Sequence, residues 1–393
     1  MATTHLTNAK RAKNDEFYTQ YADIQKEIEA YLEFDPDAFR GKVVYCNCDD
    51  PYESNFFRYF VLNFKKLGLK QLITTSYKPS PVANTQLALF GDDETLAKSK
   101  GRPKVTANRF IINDVRGIDG EADGDVNLKT VAKRLKANKH NEWTPLEGDG
   151  DFRSEECIAM LQQADIVITN PPFSLFREYV KQLFEFKKRF VIIGSMNSIT
   201  LKEIFPLIKN NKMWLGNGFQ AGNAYFYTPN TREFASGVYD EKTGLVKFRN
   251  VCWFTNLDHG RRHQPLEMMP MKEHLRFSKH KEIRGKRKYD KYDNYDAINV
   301  PFTDAIPADY DGVMGVPPSF LERHNPDQFE IVGITKTWFG AATKTYPLQI
   351  QVDKDGKRSE VTKLNDGATL RLKSPPTGQT YYVGSRRAAD SPL

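Results

Sequence analysis

Residues 164–176 read ADIVITNPPFSLF, and the reading of this stretch decides the fold. Asp165–Thr169 is a β-branched run of strand length, too short for an ordinary helix. It stops on Asn170-Pro171-Pro172-Phe173. Each proline lacks a backbone N–H and fixes φ, so two in succession end any strand they follow. A helical period then begins, with Leu175, Phe176, Tyr179, Val180, Leu183 and Phe184 on one face and Ser174 placed as its cap. A strand before and a packed helix behind would hold the polar corner at Asn170 from both sides.

Outward from this stretch, apolar β-branched runs alternate with helix-like segments. Lys42–Cys46, Gln71–Ser76, Asn108–Asn113, Arg189–Ile193, Lys212–Leu215 and Val251–Thr255 read as further strands. A helix over Ser54–Leu67 ends at Gly68, and another near the N-terminus presents Ile24, Ile28 and Tyr31 on one face. Strand, helix, strand at this spacing predicts an α/β fold: an open, Rossmann-like, mostly parallel sheet with helices on both faces. Ligands of such sheets bind beyond the carboxyl ends of the strands, which is where Asn170 falls. Residues 78–107 and 116–150 interrupt the pattern and read as surface insertions. Near Pro270 the sequence turns basic and rich in Tyr and Asp, so a boundary is set there, between 1–270 and 271–393.

Composition narrows the class. Of 393 residues, 39% are hydrophobic and 27% charged, as in ordinary globular proteins. No run of about eighteen apolar residues occurs to span a membrane. The polar N-terminus MATTHLTNAKRAKN is not a secretory signal, which predicts a cytoplasmic protein. Four cysteines, Cys46, Cys48, Cys157 and Cys252, are too few for a disulfide framework and read as small buried residues. No ligand cluster implies a metal. The net charge of +7 is moderate, but residues 272–291 hold nine Lys/Arg against three acids. With Asp258-His259-Gly260-Arg261-Arg262-His263 nearby, this pattern suits a polyanion.

The Asn-Pro-Pro-aromatic corner suits one difficult reaction. The exocyclic amine of adenine is a poor nucleophile because its lone pair is delocalised into the ring. Two acceptors, the Asn170 side-chain oxygen and the Pro171 carbonyl, would draw the nitrogen toward tetrahedral geometry and stabilise the charge that develops as it attacks a methyl sulfonium. The prolines hold that carbonyl without a loop having to order. Phe173 would stack on the base and help keep it outside the duplex. Val316-Pro317-Pro318-Ser319 serves as an internal control: with no polar residue before it and no aromatic after, it reads as a plain loop.

The tetrapeptide resembles the catalytic motif of amino-methyltransferases that use S-adenosylmethionine. Asp15-Glu16-Phe17-Tyr18-Thr19-Gln20 resembles the Phe-Tyr-Thr-Pro element these enzymes carry before their cofactor motif, with Gln20 in place of the proline. Three longer strings are similar to one group, the EcoRI family of DNA adenine methyltransferases: VVYCNCDDPYESNFF (43–57), VCWFTNLDHGRRHQPL (251–266) and YDNYDAINVPFTDAIPADYDGVMGVPPSFLERHNPDQFEIVGIT (292–335). The resemblance implies an N-terminal catalytic domain, S-adenosylmethionine as cofactor, double-stranded DNA as substrate, and target recognition lying largely C-terminal. In place of a glycine-rich loop, Asn47-Cys48-Asp49-Asp50-Pro51 takes the cofactor position, where Asp49 or Asp50 would pair with the methionine ammonium. The second strand ends in Thr74-Thr75-Ser76 where an acid is usual. Asp151 and Phe152, in GDGDF, match the element that contacts the cofactor's adenine; Asp114 is the rival to Asp151, and Asp149 and Asp151 also read as helix caps. Phe17 or Tyr18, beside Thr19, would cover the methionine end.

For DNA, Arg261, Arg262 and His263, and the cluster Lys286, Arg287 and Lys288, are the contact candidates. Tyr289, Tyr292 and Tyr295 read as core rather than stacking residues, and Lys10–Lys13 as an arm that orders on DNA. Gln86-Leu87-Ala88-Leu89-Phe90 resembles the short peptide by which bacterial proteins dock on the replication sliding clamp, although a loop folding its leucines onto the body is the reading the residues favour. Lys98–Lys104 resembles a minor-groove basic hook. The resulting expectation is a DNA adenine methyltransferase, orphan or paired with a restriction endonuclease. RNA or protein glutamine as acceptor, or DNA binding without catalysis on the same scaffold, are the alternatives.

Overall fold

Every side chain of Val43–Cys46 and of Ile166–Thr169 is buried, as strands covered on both faces require. In the computed structural model, which describes residues 18–47, 54–76, 107–116, 118, 128–219, 223–227, 239–292, 295–339, 349–352, 358–361, 370–371 and 382–383, the two runs are adjacent parallel strands. The chain begins with β1 (Tyr18–Thr19), α1 (Tyr21–Phe34), β2 (Val43–Cys46), α2 (Asn55–Leu62) and the single turn α3 (Phe64–Leu67). Next come β3 (Gln71–Thr75), β4 (Asn108–Ile112), α4 (Leu128–Ala137), β5 (Glu142–Pro145) and α5 (Glu155–Gln163). They are followed by β6 (Ile166–Thr169), α6 (Phe176–Glu185), β7 (Arg189–Ser195), α7 (Phe205–Lys209) and β8 (Trp214–Leu215). β9 (Asn223–Tyr227), β10 (Tyr239–Asp240), β11 (Leu245–Arg249) and β12 (Val251–Thr255) complete this part.

The main sheet has the order β5-β4-β3-β2-β6-β7-β12-β8. β3, β2, β6 and β7 are parallel neighbours. β4 and β12 run against them, and β5 and β8, antiparallel to those two, return to the common direction. Strand alternation then assigns the faces. Val44, Cys46, Leu72, Ile166, Ile168, Val191, Ile193 and Trp253 share one core with Ile24, Ile28 and Tyr31 of α1 and Phe56, Phe57 and Phe60 of α2. On the other face Phe176 of α6 packs on Phe254 at 4.9 Å and Phe184 on Phe190 at 5.7 Å. Burying a side chain such as Phe176 contributes about 2 kcal/mol relative to leaving it in water. A second sheet, β1-β9-β11-β10, lays Ala224, Phe226 and Val246 inward.

The described residues form two compact units, one from 1–198 with 212–260, the other from 199–211 with 261–393. The second unit holds α8 (Met271–Phe277), β13 (Ile298–Asn299) and β14 (Met314–Gly315), and its core gathers Ile283, Tyr289, Ile298, Val300, Ile306 and Phe320.

Several expectations need correction. The Asn108–Asn113 segment is a strand, but antiparallel. The 116–150 stretch is only partly an insertion, because it supplies α4 and the edge strand β5. Residues 77–106, with Gln86–Phe90 and Lys98–Lys104, lie outside the described residues, as do Lys10–Lys13. Cys46, Cys157 and Cys252 are buried, and none of them forms a disulfide among the described residues.

Candidate active site

Three parallel strands deliver their carboxyl ends to one edge of the sheet. β2 lies between β3 and β6, so the strand order reverses beside it, which is where ligands of such sheets bind. Asn47 follows β2, Thr75 and Ser76 close β3, and Asn170 follows β6. The ends are stitched together. Thr75 Oγ1 donates to Asn47 Oδ1 at 3.3 Å and shares a hydrogen bond of 3.0 Å with the Tyr45 hydroxyl. Thr169 Oγ1 donates to the Asn47 carbonyl from the other side. Asn47 is thereby fixed and almost wholly buried. The Ser76 hydroxyl accepts from Asn108 N at 2.9 Å, whereas Thr74 Oγ1 is buried without a hydrogen-bond partner among the described residues.

The GDGDF loop, residues 148–152, crosses the end of β3. Gly150 has φ +78°, and a Cβ there would run into the Ser76 carbonyl and approach Ala107. Only glycine permits both the left-handed backbone and the contact. Both carboxylate oxygens of Asp151 are held by Arg153, at 2.9 Å from Nε and 2.6 Å from Nη2, and Arg153 Nη1 reaches Glu178 of α6 at 3.0 Å. Burial pushes the Asp151 carboxyl up, but the hydrogen bonds and charge of Arg153 outweigh it and hold it below the usual carboxylate range. Phe152 is an interior ring, edge-on to Tyr179 at 4.9 Å. Ser154, not Asp149 or Asp151, caps α5 through Cys157 N. Asp114, the rival to Asp151, follows antiparallel β4, whose end lies opposite Leu72 near the start of β3. It belongs to the wrong edge of the sheet.

The Tyr18-Thr19 part of the Phe-Tyr-Thr element is drawn to the same region. Tyr18 and Thr19 pair with Tyr227 and Phe226 of β9, and the Thr19 carbonyl accepts from Asn55 Nδ2 at 2.8 Å. Asn55 opens α2, whose cap Ser54 accepts from Phe56 N at 3.1 Å, so Thr19 sits beside the helix that follows the β2 loop. The Thr19 hydroxyl is buried and has no hydrogen-bond partner among the described residues. Phe17, Cys48, Asp49, Asp50 and Pro51 lie outside the described residues.

At the corner itself Pro171 is buried, Asn170 half-buried and Phe173 exposed. Phe173–Leu175 form a 3-10 turn closed by Leu175 N donating to the Pro172 carbonyl at 3.0 Å. Among the described residues none donates to the carbonyl of Pro171. α6 then begins at Phe176 with no side-chain cap, so Ser174 is exposed and does not cap it. Phe176 fits only because β7 carries Gly194 opposite: a Cβ there would lie 2.5 Å from Phe176 Cε2. Sequence reasoning missed Gly194, whose signal was a glycine inside a strand. It also missed Glu27, a charge on the apolar face of α1. Fully buried, Glu27 accepts from Tyr31 OH at 2.7 Å and from Asn217 N and Gly218 N at 3.0 Å, which fixes the loop leading toward β9.

The family model of the adenine-specific methyltransferase EcoRI matches residues 5–377. The chain belongs to the EcoRI family of adenine-specific methyltransferases. Type II methyltransferase M.EcoRI of Escherichia coli is 41% identical over 336 residues, covering 84% of this chain and 89% of the relative. Type II methyltransferase M.MpnI of Mycoplasma pneumoniae is 34% identical over 337 residues, covering 84% and 85%. No solved structure matches the chain significantly. As a member of the EcoRI family this protein is a DNA adenine methyltransferase, an enzyme type of restriction-modification systems.

In this family member Arg261, Arg262, His263 and Lys286–Lys288 fall in the second unit. Arg261, Arg262 and His263 share a 3-10 turn: Arg261 lies 3.9 Å from Glu322, Arg262 donates to Asn211 at 3.1 Å, and His263 is 4.0 Å from Asp327. His259 does not join this cluster, because its ring is buried, edge-on to Tyr31 and bonded to the Leu215 carbonyl at 3.0 Å. Lys286, Arg287 and Lys288 are exposed, Lys286 paired with Asp290 at 2.5 Å. Tyr289 is core, its hydroxyl donating to the Ala305 carbonyl at 2.7 Å. Among the described residues no helix is long and apolar enough to cross a membrane, and no His, Cys, Asp or Glu cluster suits a metal.

Proposed function

We propose that the enzyme transfers the methyl group of S-adenosylmethionine to the exocyclic 6-amino group of an adenine flipped out of double-stranded DNA. The observation that carries this reading is the corner after β6, where the Asn170 amide stands next to a Pro171 carbonyl that the following turn leaves unused. Those two oxygens accept the two amine hydrogens, withdraw the lone pair from the ring, and stabilise the positive charge that develops on nitrogen. Phe173, exposed beside them, stacks on the base. Once alkylated, the amine is acidic and loses its proton to solvent.

The residues along this edge fit the cofactor. Asp151, kept ionised by Arg153, is an acceptor suited to the amine of an adenine ring. The buried Thr19 hydroxyl has hydrogen-bonding capacity to spare, and Tyr18 adjoins it. Asn47, with Asp49 or Asp50, takes the methionine end. When bound, S-adenosylmethionine supplies a methyl on a sulfonium already activated for displacement. Recognition of the target falls to residues 271–393, with Arg261, Arg262, His263 and Lys286–Lys288 on phosphates or bases. Two partners complete the proposal: a restriction endonuclease acting at the same site, and a sliding clamp held by Gln86–Phe90.

The test is to incubate the purified enzyme with tritiated S-adenosylmethionine and unmethylated plasmid, RNA or a protein lysate, and to hydrolyse the labelled product. Label confined to DNA as 6-methyladenine is expected. Label in RNA or protein, or on cytosine, would overturn the reading. For the clamp, equal pull-down by wild type and by Leu89→Ala/Phe90→Ala protein would remove that partner.

A further inference from the structure

The most exposed large apolar side chain among the described residues is Phe277, at 63%. It ends α8, and the backbone around it is firmly held. Ser278 N donates to the His274 carbonyl at 3.0 Å, and the buried Ser278 hydroxyl accepts from His280 N at 3.1 Å. The chain then folds back, Gly285 N donating to the Leu275 carbonyl at 2.8 Å from a left-handed φ of +84°. Beneath the loop, His274 and Ile283 are buried, while the His280 ring stacks on Phe302 at 3.7 Å and bonds Asp304 at 2.8 Å. Phe277 is therefore a projecting ring on a braced turn, not the tip of a loose one. The Arg276 guanidinium covers one face at 4.9 Å.

The residues flanking it in sequence are strongly basic. Lys279 and Lys286 are paired, with Asp304 and Asp290. Lys272, Lys281, Arg284, Arg287 and Lys288 are exposed and have no carboxylate partner among the described residues. A single apolar ring on a turn whose own stretch, 272–288, carries five such cations against the exposed acids Glu273 and Glu282 is poorly suited to a second protein surface, which would have to bury those charges. It suits a polyanion that also offers flat apolar faces. We propose that residues 276–288 form a DNA contact in which the cations grip phosphates and Phe277 packs against the nucleobases as a stacking or wedging residue. The inference deepens the reading of this enzyme as one acting on duplex DNA, and it gives Phe277 a positioning role rather than a catalytic one.

The experiment uses the full chain and a fluorescein-labelled duplex of mixed sequence. Phe277→Ala should weaken binding about tenfold without changing the dependence of affinity on salt. With plasmid as substrate it should raise KM and leave kcat within about twofold. Lys281→Ala/Arg284→Ala should lower the slope of log affinity against log salt by about two, one per cation removed. Phe277→Trp should remain active, and its emission above the wild-type background should be quenched by duplex. Unchanged affinity in Phe277→Ala, an unchanged salt slope in the double variant, or emission indifferent to DNA would each overturn the proposal. Sedimentation showing that Phe277→Ala dissociates an oligomer while DNA binding persists would assign the ring to a second copy of the chain instead. The same substitutions made in Asn170→Ala protein separate this contact from the catalytic reading, because binding then responds without turnover.

Discussion

The chain contains two Pro-Pro corners, and their backbones are close relatives. Asn170-Pro171-Pro172-Phe173 follows β6 and runs into the 3-10 turn Phe173–Leu175; Val316-Pro317-Pro318-Ser319 follows β14 and runs into the 3-10 turn Pro318–Arg323. The second is thus no plain loop, as the sequence suggested, but another strand ended by prolines. Two differences separate them. In the second corner Phe320 N takes the carbonyl of the first proline, Pro317, at 2.9 Å, whereas in the first the turn closes on the second proline and leaves Pro171 out. The first is also preceded by an amide, at the carboxyl end of a central strand of the main sheet, while the second is preceded by a valine that follows a strand of a two-stranded sheet. Prolines supply a rigid bend; chemistry comes from which carbonyl the bend releases and from what stands next to it.

The comparison can be broken most directly at the residue before each proline pair. Asn170→Ala should lower turnover about a thousandfold while DNA affinity stays within a few-fold. Val316→Ala should leave turnover per folded molecule unchanged and cost about 1 kcal/mol of stability. Full tritium transfer by the Asn170 variant would show that the first corner is as inert as the second. Two glycines sharpen the contrast at the next level. Gly150 and Gly285 both have positive φ, but a Cβ meets the Ser76 carbonyl at the first and nothing within 4 Å at the second. Gly150→Ala should cost about 3 kcal/mol in urea denaturation, and Gly285→Ala only about 1. Equal losses would mean that the close approach to β3 is not tight.

Phe173→Ala should reduce kcat/KM on plasmid about tenfold, while Ser319→Ala, one residue after the second proline pair, should leave it unchanged. The smallest expected effect concerns pH. Because Arg153 holds the Asp151 carboxyl below its unfolded value, the pair contributes stability that is fully present above about pH 4 and is lost as pH falls through the depressed folded value. The stability gap between wild type and Arg153→Gln should therefore be flat near neutrality and narrow below about pH 4. Arg153 is half exposed, so the gap should stay under about 1 kcal/mol. A gap independent of pH down to about pH 3 would remove the ion pair from the account.

Much of the fold could be read from local pattern. Val251–Thr255 was placed at its observed bounds, and the parallel set declared itself as continuous apolar runs. β5 was not visible: EWTP carries no alternation, and only edge pairing with β4, with Trp143 against Phe110 at 5.1 Å, makes it a strand. Direction was not legible either, since nothing within Asn108–Ile112 says which way it runs beside β3. At the site, the polar corner and the carboxylate in GDGDF were found from residue type. Arg153 was not, because an arginine two residues after an aspartate is unremarkable until Glu178 arrives from α6.

By itself the sequence determined where strands stop, which helix faces are apolar and where an amide meets two prolines, because these follow from sterics and periodicity over a few residues. Only the tertiary structure decided that Asn47, Thr75, Gly150 and Asn170 share one edge, and that Asp114 does not. Thr169 and Asn47 are 122 residues apart. Their meeting depends on strand order and direction, which are set by hydrogen bonds and packing between distant segments and leave no trace in either segment alone.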